Sequence, residues 1–458
     1  MKVPGRVVPC ALLLAAVACG GNDGPPSPGP GPGPGGDPIT GNERLGWTQT
    51  AASPAELATF RYAIYVDGAR SEIADSSCSP LAGAFACSGR LPSMTPGRHT
   101  IEVATFLVDG DNVVESPRSE PITVLVGGVL VGPGDPASSV PASVSTADGV
   151  RLAVDQIAAG LDRPTAIVRT ADGRVFVAEH AGRILTVRPG AVGPGVAYWF
   201  DDVLAAGDAG GLLDLAIDPD FDRTGFVFAV YTAANIDGSP VFRLARLRDA
   251  GGTLGERAVL VDDIPASFER TTAAIRFGPD GRLYVALDDG GRPATAERAA
   301  SYNGKVLRLN PDGSTPDDRP AFNPVHAAGL RAPSGLDWHP DTGTMWVVDA
   351  RPGDPRVAAF TSDRRGLART IVRLPAAAVP DGARFFISTS IPEFDRDLLV
   401  AAGDALVRLT LPPADGRGEV LVERLLEGAP GSVRALTVGD DGAIYVGTAS
   451  SLLRLRPE

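Results

Sequence analysis

Few residues in this chain could do imidazole, thiol or ammonium chemistry. There are four histidines (His99, His180, His326 and His339), four cysteines and two lysines, Lys2 and Lys305. His180 stands in an EHAG phrase just after a strand-like run, the nearest any histidine comes to a functional position; all four otherwise read as surface or loop residues. Asp288 and Asp289 precede a Gly-Gly pair, a setting where aspartate more often ties down a turn than binds a ligand. Cys78 and Cys87 are the only cysteines beyond the N-terminal region, and an even pair in an exported chain predicts a disulfide. Their C-x₈-C spacing lacks the further ligands that zinc requires. The formal charge is −13 and the arginines are scattered among acids, so there is no basic stripe and nucleic acid is not an expected partner.

The elements that must position these groups fall into five segments. Residues 1–19 carry Lys2 and Arg6, then an apolar run too short to span a bilayer, and end in small residues before Cys19. This pattern resembles a bacterial lipoprotein processing box, with Cys19 as the lipidated residue, although Ala16 stands where leucine is usual. An ordinary secretory signal cut near Cys19 is the other reading. Residues 20–38 alternate Pro and Gly and form a spacer that cannot bury a core. Residues 39–126 alternate in the strand period around Trp47 and predict a small β-sandwich resembling a fibronectin type III or immunoglobulin-like domain. Residues 127–149 are a second Pro/Gly/Ser linker. The implied location is the cell envelope, with the domains held by lipid at a periplasmic or outer-membrane surface.

Residues 150–458 repeat one phrase. In residues 273–316 it is a strand, a GPDG turn, a second strand, a long excursion and a third strand; related copies begin near residues 165, 213, 334, 384 and 434. Six copies at a period of roughly 50 residues predict a six-bladed β-propeller, so the chain is read as all-β, a propeller preceded by a small sandwich. Residues 151–161 precede the first copy and are expected to pair with the last blade.

Four phrases go beyond the generic repeat: GLLDLAIDPDF (211–221), IRFGPDGRLYVALDDGG (275–291), NGKVLRLNPDGSTPDDRPAFN (303–323) and GLRAPSGLDWHPDTG (329–343). Together they resemble the soluble PQQ-dependent glucose/sorbosone dehydrogenase family across the whole repeat region. The resemblance implies pyrroloquinoline quinone (PQQ) and calcium on one face of the propeller, and oxidation of a sugar or other aldose by hydride transfer. It places Arg331 and Arg434 as quinone-binding arginines and the backbone carbonyls of Arg351 and Pro352 as calcium ligands. Arg331 and Arg434 could equally be structural arginines bridging blade loops. Where the family has its catalytic histidine this chain has Arg270, beside Glu269, and an arginine is too basic to accept a proton at neutral pH. The chain also has Ala332, Ser432 and Ala209 at three further family contact positions, and no lysine near Asp404. These departures predict weak or no PQQ binding and no dye-linked oxidation of glucose or other aldoses. The alternative reading is a non-catalytic propeller that binds a glycan, peptide or protein at the cell surface.

Overall fold

A computed structural model describes residues 11–12, 37–39 and 44–458, apart from 74, 82–83, 93, 95–96, 110–111, 127–139, 191–192, 207–208, 319–322, 361–368, 377, 413–418 and 428–430. The expected lipidation residue Cys19 lies outside the described residues. The chain divides into two compact units, Met1–Gly134 and Asp135–Glu458.

In the first unit, one sheet contains Arg44–Gln49, Ala84–Arg90 and Ser77–Leu81; the other contains Ile122–Val126, Gly97–Asp109, Arg61–Val66 and Ala69–Glu72. Leu45 and Trp47 from the first sheet share a core with Tyr62, Ile64, Ile101, Val103 and Val124 from the second. The Sγ atoms of Cys78 and Cys87 are 2.01 Å apart across paired strands of the first sheet. His99 is buried rather than at the surface, and its Nδ1 lies 2.6 Å from Asp67 Oδ2.

The second unit is a six-bladed propeller. Its innermost strands are Pro164–Arg169, Leu212–Ile217, Ala273–Phe277, Pro333–Trp338, Gly382–Phe385 and Ala435–Val438, and each begins an antiparallel sheet, here called blades 1 to 6. Each inner strand touches the next, and the sixth touches the first, so the ring is closed. Arg151–Ala159 pairs antiparallel with the terminal strand Ser451–Pro457 and completes blade 6 from the other end of the chain. Ser143–Ser145 adds a further strand outside it, so one strand of the propeller lies inside the stretch that composition marks as linker.

The blade turns explain why the sequence repeats so visibly. Gly173, Gly281 and Gly442 occupy the same turn position with φ of 86°, 69° and 71°, a region open to glycine at little cost. The aspartate just before each, Asp172, Asp280 or Asp441, accepts through Oδ1 the N–H of the residue after the glycine at 3.2 Å.

One apolar cluster fills each interface between neighbouring blades. In the second strand of blade 1, Phe176 and Ala178 face blade 2 while Val177 faces blade 6. Such strands are buried on both faces, which is why Val175–Glu179, Leu283–Leu287 and Met345–Asp349 carry unbroken apolar runs.

Candidate active site

The six inner strands all begin at one end of the central channel, and a cavity of about 480 Å³ opens there. Every blade contributes: Arg163 and Thr165 from blade 1, Gly210 and Leu213 from blade 2, Glu269 to Ala273 from blade 3, Ser334 from blade 4, Asp381 from blade 5, and Ser432 and Arg434 from blade 6. His180 completes the wall at the junction of blades 1 and 2. Its N–H donates to Arg163 O (3.1 Å), and its own carbonyl accepts from Leu212 N–H (3.0 Å). The approach is so close that a Cβ on Gly211, which has φ +89°, would lie 2.5 Å from His180 O and 2.8 Å from its ring. His180 therefore stands in a turn, as its sequence suggests, but is a buried part of the site rather than a surface residue.

Two guanidinium groups enter this cavity without an ion-pair or hydrogen-bond partner among the described residues: Arg270 and Arg434. The Nε of Arg434 is fully buried and unsatisfied. A buried donor left without an acceptor costs about 1–3 kcal/mol, so the site has an interest in an acceptor arriving from outside. The two acids on the wall differ. Glu269 is exposed, whereas Asp381 is half-buried, and among the described residues only its backbone N–H is tied down, to Ala401 O at 2.8 Å. Burial pushes the Asp381 carboxyl up to about 7, against the opposing pull of Arg434 and Arg270.

A second group of charges lies beside the cavity, in the loops of blades 3 and 4. Asp288 and Asp289 are both buried, so they are more than solvated turn residues. Asp288 accepts the N–H groups of Thr272 and Gly290, each at 2.7 Å. Burial nevertheless pushes its carboxyl up to about 7, with the Asp289 charge adding to the rise and Arg270 opposing it. Arg331 lies 3.7 Å from Asp289. Arg351 does not turn to the cavity: its Nε–H donates to the fully buried Asp349 at 2.5 Å and its terminal N–H to Gly329 O at 2.7 Å. The Arg351 carbonyl already accepts the Asp354 N–H at 3.1 Å, closing the turn that holds Pro352. Of the positions expected from sequence, Arg270 and Arg434 thus meet in one cavity, while Arg331, Arg351 and Pro352 are outside its wall. Among the described residues no three His, Cys, Asp or Glu side chains gather to hold a metal.

A closed six-bladed propeller with a cavity at the mouth of its channel defines the class of fold. Within that class, residues 161–356 match the family model described as Glucose / Sorbosone dehydrogenase. An oxidoreductase (glucose dehydrogenase) from Thermus thermophilus is 31% identical over 66% of this chain and 99% of that one, with a TM-score of 0.58. The chain belongs to the glucose/sorbosone dehydrogenase family. Quinoprotein glucose dehydrogenase B of Acinetobacter calcoaceticus is 27% identical over 253 residues, 45% of this chain and 53% of that protein. The match thus spans about half the length of this curated relative. The aldose sugar dehydrogenase YliI of Escherichia coli K12 is 24% identical over 65% of this chain and 91% of that one.

Proposed function

We propose that this protein is a lipid-anchored dehydrogenase of the cell envelope that oxidises a sugar or other aldose with PQQ bound in the propeller cavity. The observation that carries the reading is the pair of unpartnered guanidinium groups, Arg270 and Arg434, in a cavity of about 480 Å³. PQQ carries three carboxylates, and guanidinium forks suit carboxylate geometry and strengthen when water is excluded. The fit extends to the buried, unsatisfied Nε of Arg434, which lacks an acceptor that a carboxylate would supply. Arg434 and Arg270 are the residues assigned to hold the cofactor, with Arg331 one loop away on Asp289. When bound, PQQ supplies an electrophilic quinone that accepts two electrons. Calcium fits less well, because the Arg351 carbonyl is engaged within its own turn and is not on the cavity wall, so no role is derived for it.

Titrating purified protein with PQQ and following the quinone absorbance tests the reading. Stoichiometric binding is expected, weakened at least about tenfold by Arg434→Ala, since loss of one charge-assisted pair costs roughly 1.5–3 kcal/mol. Dye-linked oxidation of an aldose should accompany it. Absence of PQQ binding would instead favour the second reading, a binding propeller for an acidic glycan or peptide, which Arg270 supports by placing a fixed positive charge where the family pattern has a proton-accepting ring.

The anchor is a separate proposal. Wild-type protein expressed in a bacterial host should partition into detergent, and Cys19→Ser should move it to the aqueous phase, because the acyl chains supply about 0.8 kcal/mol per buried CH₂. Wild-type protein found in the aqueous phase refutes the anchor and leaves the propeller assignment intact.

A further inference from the structure

We propose that Asp381 is the proton acceptor of this site, taking the hydroxyl proton of the bound sugar in place of the histidine that the chain has exchanged for Arg270. The inference rests on the dehydrogenase reading above and names the residue that makes it workable.

Three features single out Asp381 from the other groups facing the cavity. First, its carboxylate has no hydrogen-bond or ion-pair partner among the described residues, unlike Asp288, whose oxygens are occupied by two backbone N–H groups. A half-buried carboxylate left open to a cavity is costly unless something fills it. Second, it shares that cavity with Arg270 of blade 3 and Arg434 of blade 6, so it borders the same space as the cations assigned to the cofactor. Third, its acidity suits a general base, since a carboxyl near 7 is partly ionised at neutral pH and retains the proton once taken. Glu269 is exposed, and the His180 ring is wedged against Gly211. The guanidinium groups of Arg163, Arg270 and Arg434 are donors with no acceptor atom.

In the reacting complex the O–H bond of the sugar hydroxyl breaks and its proton passes to an Asp381 carboxylate oxygen. The electron pair left on oxygen would become the second bond of the new carbonyl as the carbon-bound hydrogen leaves as hydride, for which PQQ, when bound, would supply the two-electron acceptor. The arginines act on Asp381 as well as on the cofactor, since their charge is what keeps its acidity from rising further.

The test uses the full-length protein, Asp381→Asn and Arg270→Gln. Asp381→Asn should lower kcat by about 10² to 10⁴-fold while PQQ affinity, read from absorbance, stays within about threefold of wild type. Arg270→Gln removes a charge that holds the carboxyl down. It should raise the Asp381 pKa in the cofactor-free protein, followed by carboxyl carbon NMR, and shift the pH midpoint of kcat/KM upward in parallel. Turnover of Asp381→Asn within about threefold of wild type overturns the proposal, as does a loss of PQQ affinity that matches the loss of turnover. A carboxyl shift without a shift of the rate profile overturns it too. If wild-type protein binds no PQQ and oxidises no aldose, the dehydrogenase reading falls and takes this one with it; if wild type turns over and Asp381→Asn does too, only the assignment of Asp381 falls.

Discussion

Asp337, in the inner strand of blade 4, accepts through Oδ2 the backbone N–H of Phe385 in blade 5 at 2.8 Å. Asp214 does the same from blade 2, accepting the N–H of Ile275 in blade 3 at 2.8 Å. Neighbouring inner strands have no ladder of their own, so these carboxylates are side-chain staples across otherwise apolar blade interfaces. Asp337 also receives Arg276 Nε–H at 3.0 Å and the Trp338 N–H at 2.8 Å. Asp337→Ala should therefore destabilise the propeller by about 1–3 kcal/mol, because it strands a half-buried arginine partner and two amides. Hydrogen exchange at Phe385 is the direct check, and unchanged protection there would count against the staple.

Lys305 is a buried cation whose partners are all carbonyls: its ammonium donates to Thr295 O (3.0 Å), Ala296 O (2.7 Å) and Asn303 O (3.1 Å). It thereby clamps the excursion between Asp288 and Gly304 onto blade 3, the excursion that bears Asp289 near the cavity. Lys305→Met should cost about 1–3 kcal/mol and loosen that excursion first, since three acceptors lose their donor. Limited proteolysis should then cut within residues 289–303 before it cuts elsewhere, whereas wild type resists.

The pH dependence of stability follows from the buried acids. Asp214 is pushed up to about 6, and Asp288 and Asp381 to about 7, chiefly by burial. Between about pH 4 and these values the folded protein holds protons that the unfolded chain has released, so stability falls as pH rises through the window. His339, lowered by burial, works in the opposite direction below about pH 6.5, but it is one group against three. The propeller should melt higher at pH 5.5 than at pH 7.5, and Asp381→Asn should flatten the difference. A wild-type melting temperature that rises over that interval contradicts the acidity assigned to these carboxyls.

The first unit carries its own test. The Cys78–Cys87 link closes a short loop with a sequence separation of 9, and Tyr62 Oη lies 3.6 Å from each sulfur. Chain entropy alone makes such a link worth about 2–3 kcal/mol. Reduction should lower the unfolding transition of the N-terminal unit and leave the propeller transition in place. Two free thiols in unreduced protein would remove the claim.

The blade count was legible because one turn chemistry recurs: Gly173, Gly281 and Gly442 each take a positive φ behind an aspartate that ties the turn, and sequence shows both residues. The cavity was only half legible. Arg270 and Arg434 could be placed by their phrases, but Asp381 sits in a Pro-Asp-Gly tripeptide that locally looks like the blade turns. Nothing within three residues of it signals that its carboxylate faces two arginines from blades more than 50 residues away in sequence. The burial of the turn residue His180 is hidden for the same reason, since it depends on the missing Cβ of Gly211, 31 positions downstream. Turns are written in consecutive residues, whereas the mouth of a ring gathers residues from every blade.

The pairing of Arg151–Ala159 with Ser451–Pro457 sets a clock. The first partner leaves the ribosome nearly 300 residues before the second, an interval of roughly 15 to 60 s at 5–20 residues per second. Throughout that time blade 6 does not exist and blade 1 lacks its neighbour on one side. The ring accordingly stays open, and able to be threaded, until Ser451–Pro457 has been made.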